Sequence, residues 1–340
     1  YATVTVDLGR IEPIGGASLT TAAGVAGVLW PAAVRILVSD DGKQYRDVAD
    51  LAALERKARG PWPKGYAIRR LETRELRTRG RFVTFLILPL AGCPFIFTDE
   101  VQVFRGPDEL LTADPGGEPV ESAAAVFERG RIRRSVEHRV QADVAAFRET
   151  VRASSPASLA EESRKALVEQ AESLLGRIDA EAALRDRAFR AVLPIGDAHA
   201  KLFDLQAQWW RASGADQLSV SGAGPWDPPP LFGLPPAKSG GIEIHALRGE
   251  HRAGAFDVFN SGERPLAVRV TVEGLPGGPC PPYLALHEVR WTDTAQGVPV
   301  AAALPPAARE GEAWTLTARP GLLCQGWITF HPVDLPPGEH

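Results

Sequence analysis

The chain has 340 residues, 44% of them apolar and 24% charged, with a formal net charge of −4. That length suits about two or three domains and supplies ample apolar material for packed cores. The slightly acidic balance argues against general nucleic-acid binding, which needs a basic face. With no apolar run near about 20 residues, the chain lacks a helical membrane span.

The opening run Thr3–Leu8 alternates, with Val4, Val6 and Leu8 on one face and Thr3, Thr5 and Asp7 on the other, the pattern of a half-buried strand. It begins at Tyr1 with no signal peptide before it, so the chain reads as a mature or trimmed fragment. Gly9 is expected to end this strand, and a second strand is expected over Pro13–Thr20. A loop of small and apolar residues, Gly24–Pro31, then carries Trp30.

Ala33–Val48 reads as a β-hairpin: Val34, Ile36 and Val38 share one strand face, Asp40-Asp41-Gly42 makes the turn, and Tyr45 and Val48 follow. The turn accounts for both aspartates, and two adjacent carboxylates are too few for a calcium cage. A short helix fits Leu51–Lys57, and Gly60-Pro61-Trp62-Pro63 is a rigid exposed loop. Six arginines lie between Tyr66 and Arg81, with Glu72 and Glu75 among them. Phe82–Leu88 is apolar on both faces apart from Thr84, which suits a central strand. A last strand of this region covers Asp99–Phe104.

From Ser135 the period becomes helical, with Val136, Val140, Val144, Phe147 and Val151 on one stripe. Ser158-Leu159-Ala160-Glu161 is a capping-box pattern before the stripe Leu167, Ala171, Leu174, Leu175 and Ile178. A third helix is expected from Asp179, carrying Leu184, Ala188 and Val192, and a fourth segment over Asp197–Arg211 ends in Trp209-Trp210. Gly214–Gly241 is rich in proline and glycine, an extended lead-in. Strands then return at Ile242–His245, Ala255–Phe259, Leu266–Val272, Tyr283–Val289, Glu312–Thr317 and Trp327–Phe330, a spacing that suggests a β-sandwich. Pro336–His340 reads as a turn before one more strand, so this sandwich is expected to be truncated. Of the three cysteines, Cys280 and Cys324 lie in one expected domain and could pair, leaving Cys93 free.

Four pieces of the first 106 residues, VDLG (Val6–Gly9), VSDDGKQYRDV (Val38–Val48), RFVTFLI (Arg81–Ile87) and TDEVQVFRG (Thr98–Gly106), resemble in order and spacing the discoidin, or coagulation-factor 5/8 type C, family. The resemblance implies a jelly-roll sandwich that binds carbohydrate through loops at one end. The family often holds a structural calcium, whose loop would fall near or before Tyr1. Gly224-Pro225-Trp226 and Gly249–Val270 look like the β-sandwich beside catalytic barrels in large bacterial glycoside-hydrolase-like proteins. That likeness implies context rather than chemistry.

Sugar recognition uses exposed aromatic faces and hydrogen-bonding side chains. The candidate contacts are therefore Trp30, Trp62 and Phe95, with Phe97 behind them, and Arg69 and Arg70 as donors for an acidic group. Each has a plainer reading: Trp30 caps the sandwich core, Trp62 docks on a neighbouring domain, and the arginines form a solvated salt-bridged strand face. His245 and His251 with Glu243 and Glu250 match no zinc motif, and His287 and His331 read likewise as turn or solvated residues. No nucleophile elbow, phosphate-cradling glycine loop or two-histidine zinc helix is present.

The expected architecture is multidomain and mainly β: a discoidin-like jelly-roll sandwich (1–106), a linker (107–134), a helical spacer (135–213) and an immunoglobulin-like β-sandwich (214–340). The expected function is non-catalytic carbohydrate binding or substrate positioning in a larger secreted, cell-surface or periplasmic bacterial polysaccharide-acting protein, with no catalytic residue, cofactor or metal assigned. Its partners would be a polysaccharide and an adjacent catalytic domain. The alternatives are a structural or adhesion module, and the N-terminal part of a glycoside hydrolase.

Overall fold

The computed structural model describes every residue except 91–94, 155–158, 181, 183–190, 228, 237–239, 295–297, 337, 339 and 340. The fold is mainly β, with several antiparallel sheets and a set of helices. It divides into two compact units, Tyr1–Arg131 and Ile132–His340.

In the first unit a seven-stranded sheet is built on β1 (Ala2–Ala23), β2 (Ala33–Ser39), β3 (Tyr45–Asp50), β4 (Ala67–Thr73), β5 (Thr78–Leu88), β6 (Phe97–Arg105) and β7 (Glu118–Val120). Gly9 does not end the first strand: β1 continues for 22 residues, with an irregularity between Asp7 and Glu12. Its first half pairs with β5, and its second half lies between β4 and β6. The long strand is thus shared by two layers that enclose one core, with Ile14, Ala17, Leu19 and Leu71 packed against Val34, Ile36, Val38, Val83, Phe85 and Ile87. Helix α1 (Leu51–Arg59) closes it with Leu51 and Ala52; Asp50 caps the helix by accepting from the amides of Ala52 and Ala53.

The β2–β3 hairpin forms as expected, and its turn is held by Ser39 and Asp41. Ser39 Oγ accepts from Gly42 N at 2.9 Å, and Asp41 Oδ1 accepts from Lys43 N at 2.8 Å and Gln44 N at 2.9 Å. Asp7 and Arg81, from two of the quoted pieces, form a two-pronged pair at 2.8 Å across β1 and β5. The Arg81 guanidinium, helped by the Gly9 amide, holds the Asp7 carboxyl down at about 2.

The expected linker 107–134 is ordered instead. A 3-10 turn at Asp108–Leu111, strand β7 and the start of helix α2 (Ala123–Ala153) fill it. Ala123, Val126 and Phe127 cover Leu37, Leu86 and Leu88 on the far face of the sheet, and this burial recruits a stretch too charged to read as amphipathic.

In the second unit α2, α3 (Glu161–Ser173) and α4 (Gly196–Ala212) pack on a five-stranded sheet in the order β12-β11-β15-β9-β8. Its strands are β8 (Leu218–Ala223), β9 (Arg252–Asn260), β11 (Leu284–Asp293), β12 (Pro299–Ala303) and β15 (Cys324–Phe330); β10 (Leu266–Val270), β13 (Ala308–Glu310) and β14 (Ala313–Ala318) form a second sheet. The helices are therefore not a separate spacer. The predicted stripe of α2 shares one core with Trp209, Trp210, Phe259, Trp291 and Leu323. The tandem tryptophans are 0% and 1% exposed.

Strand β8 lies inside the Pro/Gly-rich stretch, whereas Ile242–His245 is not a strand. Ile242 and Ile244 instead lie against Gly254, where a side chain would meet them at 2.8 and 2.9 Å. Cys280 and Cys324 are both free thiols, and burial pushes Cys324 up to about 12. Cys93, the capping serine Ser158, and Leu184 and Ala188 of the expected third helix lie outside the described residues. Among the described residues no helix is long and apolar enough to cross a membrane.

A buried charge cluster joins α2, α4 and β11. Arg139 donates to both Asp143 oxygens at 3.0 and 2.6 Å and to Asp293 at 3.2 Å. His199 Nδ1 accepts from Ile195 N at 3.1 Å, which leaves the proton of a neutral ring on Nε2; Nε2 lies 3.0 Å from Asp143 Oδ2 without the geometry of a hydrogen bond.

Two outcomes follow from these pairs. Asp143→Ala leaves the buried Arg139 guanidinium with Asp293 as its remaining carboxylate and is expected to cost about 3 kcal/mol in urea unfolding. In carboxyl NMR titration Asp7 should show a midpoint near 2, rising towards 3.8 in Arg81→Gln. Because its pKa is lowered on folding, the stabilisation from this pair is present above pH 3.8 and is lost as pH falls through about 2.

Candidate functional site

Three segments of the first unit meet at one end of its sheet: the loop after β1, the loop before β4, and residues 95–97 leading into β6. Strand register places them together, because Ala22 pairs with Ile68 on one side and Phe97 on the other. Cross-strand neighbours on one sheet face sit side by side, so Ile68, Ala22 and Phe97 form a row. Val25, Leu29, Tyr66 and Phe95 lie within a few residues of that row. These six large apolar side chains are exposed, from 43% at Leu29 to 63% at Phe95. Apolar residues concentrated at one end of a sheet are a mark of an interaction surface; single exposed ones are not.

Beneath this rim the loops are pinned by a tryptophan stack. Trp30 and Trp62 are 4.9 Å apart and within 8° of parallel. Trp30 is 6% exposed, packs with Ala23 and Val28, and donates from Nε1 to Pro63 O at 3.2 Å. Trp62 is half-buried and also reaches the main core of the unit. The Arg56 guanidinium lies 5.9 Å from the Trp62 ring and donates to Ala32 O at 3.2 Å. Gly24 has a φ of 91°, and a side chain there would collide with the Gly65 backbone, so the two loops touch through their main chains. Trp30 and Trp62 are brought together as a packed pair under the rim.

Arg69 and Arg70 are not brought together, because alternation along β4 sends them to opposite faces. Arg69 lies 3.9 Å from the buried Glu55 carboxylate of α1, which also sits 3.5 Å from Arg59. Arg70 lies on the outer face of β4-β1-β6, donating to Gln102 Oε1 at 2.6 Å and lying 2.8 Å from Glu72. The Arg74 guanidinium stacks 3.2 Å from the Phe104 ring centroid and pairs with Glu72. Hydrogen bonding from Arg74 and the charges of Arg70 and Arg74 hold the Glu72 carboxyl below its usual range. Around Arg70, Glu72 and Arg74 this face is a web of paired charges about the Phe104 ring.

Phe95, one of the candidate contacts, stands exposed at the rim. Tyr66, Ile68, Val25 and Leu29 were missed. Tyr66 carried a legible signal, an aromatic beside a glycine in a proline-bounded loop; Ile68 did not, since only its pairing with Ala22 puts it next to Phe97.

No protein-family model matches the chain, and no curated protein sequence matches it either.

In the second unit His251, just before β9, and His331, just after β15, stack with centroids 3.7 Å apart and planes within 2°. Among the described residues no group of three or more His, Cys, Asp or Glu side chains could hold a metal ion.

The rim and the stack should separate in urea unfolding. Trp30→Ala is expected to cost about 3–5 kcal/mol, the range for a buried large aromatic. Tyr66→Ala and Phe97→Ala are expected to stay within about 0.5 kcal/mol of the parent, as exposed positions do.

Proposed function

We propose that the chain is a non-catalytic binding region whose N-terminal unit is a discoidin-like module that takes carbohydrate at the rim of its loop end. The observation that carries this reading is the convergence of Tyr66, Phe95 and Phe97 with Val25, Leu29 and Ile68 on one end of the sheet. Aromatic faces pack on the C–H surfaces of pyranose rings, and a rigid base costs little ordering when ligand arrives. The Trp30–Trp62 stack and the Gly24–Gly65 backbone contact supply that base. The order of the quoted pieces also supports the reading, since they fall on β1, the β2–β3 hairpin, β5 and β6 of one connected sheet. In this view the chain positions a polysaccharide for a catalytic domain of a larger secreted protein.

A second reading, docking of a protein partner, is favoured by one observation: the row Ile68–Ala22–Phe97, extended by Val25 and Leu29, is as aliphatic as it is aromatic. Affinity electrophoresis separates the two. The full chain should be retarded in gels cast with at least one soluble polysaccharide. Tyr66→Ala and Phe97→Ala, neither of which changes charge, should weaken that retardation about tenfold, a loss typical of an interface hot spot. Unchanged migration of the parent chain across xylan, β-glucan, galactomannan and pectin would sink the carbohydrate reading and leave the protein-docking one.

A further inference from the structure

The second unit carries an aromatic corner that the proposed function does not use. Strand β8 ends at Ala223, and Gly224-Pro225-Trp226-Asp227 turns the chain away, with Asp227 N donating to Gly224 O at 3.1 Å. Proline at the second position of such a turn presets the backbone, so the residue at the third is held at a fixed corner. That residue is Trp226, 82% exposed; among the described residues no large apolar side chain is more so. Its ring stands at 82° to the Trp327 ring, with centroids 5.2 Å apart. The Asp227 carboxylate folds back over Gly224, where any side chain would collide with it, and so stays at the foot of the turn.

Strand register explains the second ring. Along β15, Cys324 and Ile328 enter the core between the two sheets and Gly326 lies against the Phe256 ring, so alternation sends Trp327 to the opposite face. This is the face that meets α4, but Trp210 of the helix touches it at Phe259. Ala255, across from Trp327, lies four residues from Phe259 along β9, about 13 Å away. His287 lies across from Trp327 on the other side, and the next row outward is Ala253, Thr329 and Ala285. Ala285 is exposed, and Thr329 and Ala253 are half-buried. Trp327 thus borders an open shelf of small side chains, with Trp226 against it.

A tryptophan held in water leaves unburied one of the largest apolar surfaces a side chain offers, and the proline turn keeps it there. A pyranose ring can lay its flat C–H surface on such an indole, while the hydroxyls at its edge need partners or water. The Thr329 hydroxyl and the Asp227 carboxylate are partners, and the open shelf admits water as well. A cation fits less well, because its attraction to a ring weakens where water competes for the charge. A proline-rich peptide also fits less well, because it needs a groove lined with aromatic rings and here there is one corner.

We infer that the Trp226–Trp327 corner is a second carbohydrate site, which stacks a neutral pyranose of a polysaccharide on Trp226 and bonds its hydroxyls through Thr329 and Asp227. The inference rests on the carbohydrate reading for its class of ligand, and it uses no residue of the rim.

The full chain is titrated with cellohexaose, xylohexaose and mannohexaose while the tryptophan indole cross-peaks are followed by NMR. Sorbitol, tetramethylammonium and a proline oligomer serve as acyclic, cationic and proline-rich controls. At least one hexasaccharide should shift the Trp226 and Trp327 peaks saturably, about tenfold or more tightly than any control. Trp226→Ala should weaken that binding about tenfold, read on the Trp327 peak, as the loss of a hot spot does. Thr329→Val, which keeps the shape and removes the hydroxyl, should weaken it about threefold. Tyr66→Ala combined with Phe97→Ala should leave it unchanged. If those rim variants keep full retardation in polysaccharide gels while the Trp226 peak still shifts, the rim reading fails and the corner stands. Retardation that the rim variants abolish, with no Trp226 shift, does the reverse. No shift of the Trp226 peak with any hexasaccharide overturns the inference, as does tighter binding of tetramethylammonium or the proline oligomer; both results are read on the parent chain and need no variant to fold.

Discussion

The second unit depends on one packing event, the burial of an α4 face that carries Phe203, Gln206, Trp209 and Trp210. Large aromatics dominate core energetics because each removes far more area from water than an aliphatic side chain. Here they also carry polar handles, and those handles organise the chain around them. The Gln206 amide bonds two carbonyls and an amide from segments distant in sequence, and the Trp210 indole donates to the Gly233 carbonyl. Gly321 belongs to the same contact: with a φ of 63° it comes so close to α4 that a side chain would collide with the Phe203 carbonyl. The loop between β14 and β15, the segment at Leu231 and Gly233, and the helix are thus held by a single surface.

The first unit solves a different problem. One long strand serves two layers, and its irregular stretch between Asp7 and Glu12 lets it change partner without ending. The Asp7–Arg81 pair sits beside that irregularity and ties β1 to β5 where the ladder is interrupted. Irregularities of this kind bend a strand and raise its local twist, which is what two layers sharing a strand require. The loops at the far end of β1 are then closed by the tryptophan stack, and the exposed apolar rim is carried on a base that is already packed.

Charge in this protein is mostly spent inside the molecule. The arginines of β4 and β5 look in sequence like a cationic patch, yet Arg69, Arg70, Arg74 and Arg81 each have a carboxylate beside them. Arg139 is buried with two aspartates.

Where local periodicity and burial agree, the elements could be read directly. Val34, Ile36 and Val38, the alternating Leu266, Val268 and Val270, and the stripe from Val136 to Val151 take the strands and helix that their spacing dictates. The Asp-Gly turn was equally legible, because its backbone conformation is chosen by the residues themselves. Long-range contact decided the rest. Residues 123–134 became helix because Phe127 found a sheet face, β8 formed in a Pro/Gly-rich stretch because β9 offered an edge, and Ile242 and Ile244 lie across Gly254 instead of pairing. The same holds for the candidate site. Aromatic residues in loops could be listed from the sequence, but whether a ring faces water or a second ring depends on which loops the sheet brings together. The sequence alone therefore determined a mainly β chain with a helical middle and a β-hairpin at its start. Only tertiary structure decided that Trp30 stacks under the rim, that Ile68 joins Phe97 on it, and that the helices share a core with the C-terminal sheets, because each of these turns on pairing between residues far apart in the chain.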